Sequence, residues 1–159
     1  MTALHRRAFL LLSASFIGAP ARGGELGATL DPVVADPAAA APHVAPLARV
    51  QFFIAEAERM RAKAIATGDQ AFGAVVVSGD TIIGWGPSRV VADRNPKAHA
   101  ERVAIMDAQL RLAAVDLGDA VLFSTGKPCP MCEDAAAVAG LARIYWGPDA
   151  IDGGAPRRR

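Results

Sequence analysis

One histidine and two cysteines have the residue types of a metal site. Cys129 and Cys132 are the chain's two cysteines, and their spacing points both side chains the same way at the start of a helix, whose positive end should lower their pKa values. His5 and His43 are predicted to lie outside the folded core, which leaves His99 as the available imidazole. Catalytic zinc commonly takes three protein ligands and leaves its fourth position to water. These three residues therefore predict a zinc site with one open position.

Glu101 follows His99 by two residues and is predicted to carry protons rather than to bind the metal. Residues two apart on an α-helix lie about 200° apart around its axis, so they do not serve comfortably as ligands from one face. A carboxylate at the open position could take a proton from metal-bound water and pass it to a leaving amine. The metal would lower the pKa of that water toward about 7. The group predicts a hydrolase that removes an amine.

Two other interpretations stay open. A C-x-x-C pair between a strand and a helix is also the layout of a thiol–disulfide redox protein. That hypothesis gives no reason for His99 and Glu101 at the start of a different helix. A non-catalytic metal-binding domain is the other alternative, because a fold and its ligands do not guarantee turnover. A purely structural zinc, however, has no need of the Glu101 carboxylate.

The segments around these residues predict an α/β domain over residues 47–148. Apolar residues recur at helical spacing from Leu47 to Gly68, and Pro96 precedes a second such stripe. The predicted elements are a helix over 47–68, a hairpin over 72–85, a helix over 98–114, a strand over 119–125, a helix over 131–140 and a strand over 143–146. This order predicts a three-layer α-β-α fold with a mixed sheet of about four strands, the last two parallel, shortened at its C-terminal end.

Composition and charge argue against a nucleic-acid partner. Hydrophobic residues make up 52% of the chain and charged residues 21%, as in one globular domain. The formal net charge of +1 provides no overall field that would gather phosphates. Residues 149–159 end in three arginines and are predicted to be a short basic tail.

The first 21 residues are predicted to be a secretory signal. Arg6 and Arg7 precede a mildly apolar run and the small-residue cleavage pattern Ala19-Pro20-Ala21, and the arginine pair resembles a twin-arginine signal. The run is shorter than the roughly 20 residues that cross a bilayer, so membrane contact would be transient. We expect a periplasmic or exported protein, or a cytoplasmic one if this segment is not a signal. Residues 22–46 are rich in Ala, Pro and Gly and predict a linker.

Two motifs together resemble the zinc nucleobase deaminases. His99-Ala100-Glu101 matches their H-x-E signature, and the string from Pro128 to Cys132 matches P-C-x-x-C. The chain is thus similar to the cytidine deaminase-like superfamily, and residues 72–76 and 95–101 look like its guanine deaminase and tRNA adenosine deaminase branch. The resemblance implies zinc, release of ammonia from a nucleobase or nucleoside, and a homodimer.

The resemblance also implies further substrate contacts, at Phe72, Ser88, Ala100 and Pro128. Ser88 stands where many relatives carry Asn, and this shorter hydroxyl changes which edge of a base can be recognised. Lys127 stands where an acidic residue often precedes Pro-Cys, which changes the charge at the pocket rim. A guanine-like purine is the first expectation. A tRNA adenosine deaminase-like or a cytosine or cytidine deaminase activity is the alternative, although an exported enzyme would not meet tRNA.

Overall fold

A five-stranded sheet between layers of helices forms the scaffold of the domain. The computed structural model describes residues 46–158, and its elements are α1 (Leu47–Ala66), β1 (Gly73–Ser78), β2 (Thr81–Pro87), α2 (Ala100–Leu112), β3 (Val121–Ser124), α3 (Pro130–Val138), β4 (Arg143–Trp146) and β5 (Ile151–Gly154). The strand order is β2-β1-β3-β4-β5. β3 and β4 pair in parallel, and the other neighbours are antiparallel. The predicted three-layer fold with a mixed sheet is confirmed.

The sheet has a core on each face because side chains alternate along its strands. Val76 and Leu122 pack in a cluster with residues of α2 and α3. Val75 and Phe123 pack on the opposite face with Phe53 of α1. A strand covered by helices on both faces has no solvent face, which is why Gly73 to Val77 form an unbroken buried run.

Two glycines let α2 lie directly on the backbone of β2. A Cβ atom at Gly86 would come within 2.0 Å of the carbonyl oxygen of Ala100, and one at Gly84 within 2.2 Å of that of Ala104. Real Cβ atoms do not approach other atoms so closely, so a larger residue at either position would push the helix away. This packing fixes the first turn of α2, where His99 and Glu101 lie.

The sheet has a fifth strand that the sequence did not indicate. β5 lies in residues 149–159, which were expected to be a tail, and Ile151 pairs antiparallel with Trp146 of β4. Asp and Gly are depleted in strands, so Asp152 and the glycines after it gave no strand signal. Backbone pairing and an ion pair between Arg143 and Asp152 hold the strand. A Cβ atom at Gly153 would lie 2.0 Å from the Trp146 ring, so the indole packs against that glycine.

Two predicted segments fall outside the described part of the chain. The export signal at residues 1–21 lies wholly outside residues 46–158, and so does the predicted linker except for its last residue, Pro46. His5 and His43 lie outside as well. Within residues 46–158, none of the helices combines the length and the apolar character that a bilayer crossing requires.

The close packing of α2 on β2 gives a first prediction. Gly86→Ala should lower the free energy of unfolding by at least about 2 kcal/mol, because the new methyl group overpacks against helix backbone that cannot move away alone. Urea unfolding followed by circular dichroism measures the loss. Thr81→Ala, at an exposed position of the same strand, is the control and should cost less than about 1 kcal/mol. Equal losses in the two variants would contradict this account.

Candidate metal centre and active site

The start of α2 and the start of α3 meet at one site. His99 is the N-cap residue of α2 and Cys129 the N-cap residue of α3, both with extended backbone and neither forming a side-chain capping bond. Pro130 opens α3 with the fixed backbone angle that suits a first helical position. Cys132 follows in the first turn, where its amide donates to the Cys129 carbonyl at 3.0 Å. Sequence-distant side chains are thereby directed toward one point.

The three candidate ligand atoms lie at coordination spacing. The two cysteine Sγ atoms are 3.3 Å apart, and His99 Nδ1 lies 3.6 Å from Cys129 Sγ and 3.4 Å from Cys132 Sγ. Zinc bonds of about 2.3 Å to sulfur and about 2.0 to 2.1 Å to nitrogen place tetrahedral ligands roughly 3.6 to 3.8 Å apart. The observed set agrees within about half an ångström of that geometry. This donor set, one imidazole and two thiols, fits zinc in both type and spacing.

Burial governs the protonation of Cys132. The residue is fully buried, and burial raises the pKa of its thiol. The neighbouring Glu101 carboxylate and Cys129 raise this pKa further. The expectation that the helix end would lower the pKa is therefore wrong for Cys132, because desolvation outweighs the dipole. A coordinating thiol is deprotonated outright by a metal ion, so a cation rather than the helix must supply the stabilising charge.

Glu101 is buried in the first turn of α2, beside Cys132. It is 6% exposed, and its Oε1 accepts a hydrogen bond from Ser124 Oγ at 3.3 Å. The sequence analysis missed Ser124, which ends β3 and is fully buried. A hydroxyl directly after the apolar run Val121-Leu122-Phe123 was the available signal.

A cavity of about 140 Å³ adjoins these groups. Its lining residues are Gln70, Phe72, Ser88, His99, Ala100, Glu101, Lys127 and Cys129. Three predicted substrate contacts, Phe72, Ser88 and Ala100, line it, whereas Pro128 does not. Gln70 is a lining residue that the sequence analysis missed. The cavity brings a half-exposed aromatic ring next to the candidate metal ligands and a buried carboxylate.

Lys127 lines the cavity, in agreement with its expected position at the pocket rim. Its ammonium group is 5.9 Å from the centre of the Trp146 ring, close enough for a cation–π contact. The side chain is exposed, so the rim of this cavity carries a positive charge.

Asp69 binds Ser88 and the loop residues that follow it through hydrogen bonds. The Ser88 hydroxyl donates to Asp69 Oδ1 at 2.8 Å, while Oδ2 of the same carboxylate accepts from the amides of Val91 and Ala92, each at 2.9 Å. Partial burial raises the pKa of Asp69, but hydrogen bonds from Ala92, Ser88, Gln70 and Val91 together lower it to about 2. Because the Ser88 hydroxyl donates its proton to Asp69, Ser88 can offer a molecule in the cavity only the lone pairs of its oxygen, as an acceptor.

The match to a known family covers the whole site. Residues 48–148 match the cytidine and deoxycytidylate deaminase zinc-binding region. The chain belongs to this family. The family assignment and the His/Cys/Cys group confirm zinc as the expected metal.

Relatives within this deaminase family include two enzymes of different substrate. Guanine deaminase of Bacillus subtilis (strain 168) is 41% identical over 75 residues, which are 47% of this chain and 43% of that protein. Its crystal structure superposes with a TM-score of 0.57 at 32% identity, covering 61% of this chain and 62% of that one. The tRNA-specific adenosine deaminase of Aquifex aeolicus (strain VF5) is 31% identical over 96 residues, 60% of this chain and 64% of that protein. The chain therefore spans less than two thirds of these relatives.

A further similar structure contains a nucleobase analogue. It is a complex with 8-azaguanine, with a TM-score of 0.58 at 27% identity, and the match covers 61% of this chain and 57% of that one.

Metal analysis tests the ligand set. The purified chain should hold about one zinc per molecule, and His99→Ala, Cys129→Ala and Cys132→Ala should each lose most of it, because two remaining ligands bind zinc far more weakly than three. Plasma emission spectrometry after dialysis against a mild chelator measures the content. Met131→Leu, between the two cysteines, is the control and should retain zinc. Full zinc occupancy in all three alanine variants would rule out this site.

The hydrogen bonds to the Asp69 carboxylate predict a pH dependence of stability. The pKa of this carboxyl is depressed in the folded chain, so its contribution is complete above the unfolded value of about 3.9 and is lost as pH falls toward about 2. Asp69→Asn should therefore be less stable than wild type at neutral pH, and the difference should shrink below about pH 4. Urea unfolding at a series of pH values measures it. Asp149→Asn, an exposed aspartate before β5, should show no such convergence, and a constant gap for Asp69→Asn would contradict the assignment.

Proposed function

We propose that this chain is a zinc-dependent hydrolytic deaminase that releases ammonia from a nucleobase or nucleoside, with a guanine-like purine as the first candidate. The observation that carries the proposal is the arrangement at the cavity, where His99 and Cys129 lie beside the buried Glu101 and the half-exposed Phe72. A metal-binding set alone would suit a structural site. A buried carboxylate facing the same cavity provides the acid–base group that hydrolysis needs.

The proposed roles follow from the position of each side chain. His99, Cys129 and Cys132 would hold the zinc ion, which when bound supplies Lewis acidity and lowers the pKa of water. Glu101 would accept a proton from the attacking water and deliver it to the departing amine. Phe72 would support the face of the base; Gly126 leaves this ring clear, since a Cβ there would lie only 3.3 Å from its edge.

A small free base agrees best with the dimensions and charge of the cavity. Its volume of about 140 Å³ suits one base of one ring or two fused rings, and guanine deaminase is among the relatives. Lysine is a donor only, so Lys127 at the rim favours a base that carries a carbonyl acceptor, which guanine and cytosine have and adenine lacks. A tRNA adenosine deaminase-like activity and a cytosine or cytidine deaminase activity are the alternatives.

The redox alternative is less consistent with the thiols. An attacking cysteine needs a lowered pKa and access to its partner, whereas Cys132 is fully buried and burial raises its pKa. A non-catalytic zinc domain leaves the burial of Glu101 without a purpose. Both alternatives predict that no ammonia is released from any base.

A second copy of the chain is the proposed partner. A groove of about 440 Å³ is lined by residues of α2 and α3, among them Met106 and Val138, which are each 53% exposed. The groove also carries side chains of both charge signs, including Arg102 and Asp134, which two copies of one surface can pair across a two-fold axis. Sedimentation of the full chain as a monomer at micromolar concentration would rule out this homodimer.

Export is likewise a proposal, supported by the first 21 residues of the sequence. A periplasmic or exported location would separate the enzyme from tRNA and so favours small substrates. Cell fractionation of the full-length chain tests the proposed export. A chain retained in the cytoplasm would contradict export and remove this reason for favouring small substrates over tRNA.

Ammonia release measured over guanine, adenine, cytosine and their nucleosides tests the proposed function. We expect turnover of at least one of them, and Glu101→Gln should retain zinc while losing about 10² to 10⁴ in rate, because the amide cannot carry the proton. Glu58→Gln is the control, at an exposed carboxylate of α1 that pairs with Arg61. Unchanged turnover in Glu101→Gln would reject the proton-carrying role, and no turnover of any base by the zinc-loaded wild type would reject the function.

A further inference from the structure

Three residues whose side chains carry a carboxylate or an aliphatic hydroxyl are buried in the described part of the chain. They are Ser88, Glu101 and Ser124, which are 3%, 6% and 0% exposed. Ser88 is accounted for by Asp69, and Glu101 by the proposed proton transfer. Ser124 is the most deeply buried of the three and lies outside the lining of the cavity. Its hydroxyl therefore needs another explanation.

The burial of the Ser124 hydroxyl is favourable only through its partner. A hydroxyl without a hydrogen bond costs free energy in the interior, and serine has a single proton to donate. That proton goes to Oε1 of Glu101 at 3.3 Å. A carboxylate has lone pairs on both oxygens, so a bond accepted at Oε1 leaves those of Oε2 available.

Ser124 is itself held firmly. It is the last residue of β3, between Ala74 of β1 and Trp146 of β4. Its carbonyl accepts a bond from the Gly147 amide at 3.0 Å. A donor fixed on a central strand positions a carboxylate better than one on a loop can.

The other donor near Glu101 cannot keep its role once a metal is bound. Cys132 lies beside this carboxylate, and its thiol can donate a hydrogen bond to it. A cysteine coordinates zinc as the thiolate, which has no proton to donate. Ser124 then remains as the side-chain donor that the structure places on Glu101.

We propose that Ser124 is a positioning residue, whose hydroxyl holds Oε1 of Glu101 so that Oε2 is directed to the reacting water and amine. This inference rests on the proposed function. It assigns to a strand residue outside the cavity lining the orientation of the group that moves the proton.

Two pairs of variants test the hydroxyl separately from side-chain size. Ser124→Ala removes the hydroxyl, while Ser124→Thr and Ser124→Val have nearly the same shape and differ in that group alone. We expect kcat to fall about tenfold in the Ala and Val variants, as loss of a hydrogen bond to a charged group implies. The Thr variant should lie closer to wild type than the Val variant does. KM and zinc content should stay within about twofold of wild type, since this residue neither lines the cavity nor belongs to the candidate ligand set.

An unchanged kcat in Ser124→Ala would overturn the proposal, and so would loss of zinc from that variant, which would indicate a purely structural role. If the added methyl group lowers kcat equally in the Thr and Val variants, the comparison of wild type with Ser124→Ala decides whether the hydroxyl matters.

Crystal structures of the zinc-loaded variants provide a measurement that does not need turnover. In Ser124→Ala and Ser124→Val the Glu101 carboxylate should rotate away from its wild-type position, and in Ser124→Thr it should keep it. A Glu101 carboxylate that stays in place in both variants without the hydroxyl would overturn the proposal. If the wild type releases no ammonia from any base, the proposed function fails, while these structures still decide whether Ser124 positions Glu101.

Discussion

The contact of α2 with the bare backbone of β2 is the constraint on which the candidate site depends. Glycine at positions 84 and 86 lets the helix approach until carbonyl oxygens of Ala100 and Ala104 face the strand with no side chain between them. The first turn of α2 cannot then shift without breaking the packing of the whole layer. Because α3 packs beside α2 on the same face, its N-terminal cysteines meet His99 at a distance set by rigid elements.

The buried polar groups of the candidate site bind one another. The site concentrates a carboxylate, a hydroxyl and two thiols beside a core cluster made largely of Ala, Val, Leu and Ile side chains. Desolvation makes each of these groups costly alone, and it opposes ionisation of Cys132 until a cation compensates. The low polarity that raises this cost also strengthens each interaction that remains. Desolvation therefore governs both the cost of burying these groups and the strength of the interactions among them.

Much of the fold and the metal set could be predicted from sequence because both follow from periodicity and residue type. The stripe from Leu47, the paired β-branched runs and Pro96 placed most elements correctly. The scarcity of His and Cys pointed to the three candidate ligands that the structure brings together. The rest depends on contacts that no local pattern encodes. β5 relies on pairing with β4 rather than on its own Gly-rich residues. Asp69 binds amides 22 and 23 residues away, and the effect of burial on Cys132 requires the finished interior.

The last strand reaches the cavity through one aromatic ring. Gly153 gives the Trp146 indole a flat surface to rest on, and that indole in turn lies beneath the Lys127 ammonium. A side chain added to the edge of the sheet would tilt the ring and move a positive charge at the mouth of the cavity, with the metal ligands undisturbed. Divergence within a segment that contributes no candidate ligand can thus move a charge at the cavity while leaving the candidate metal site intact.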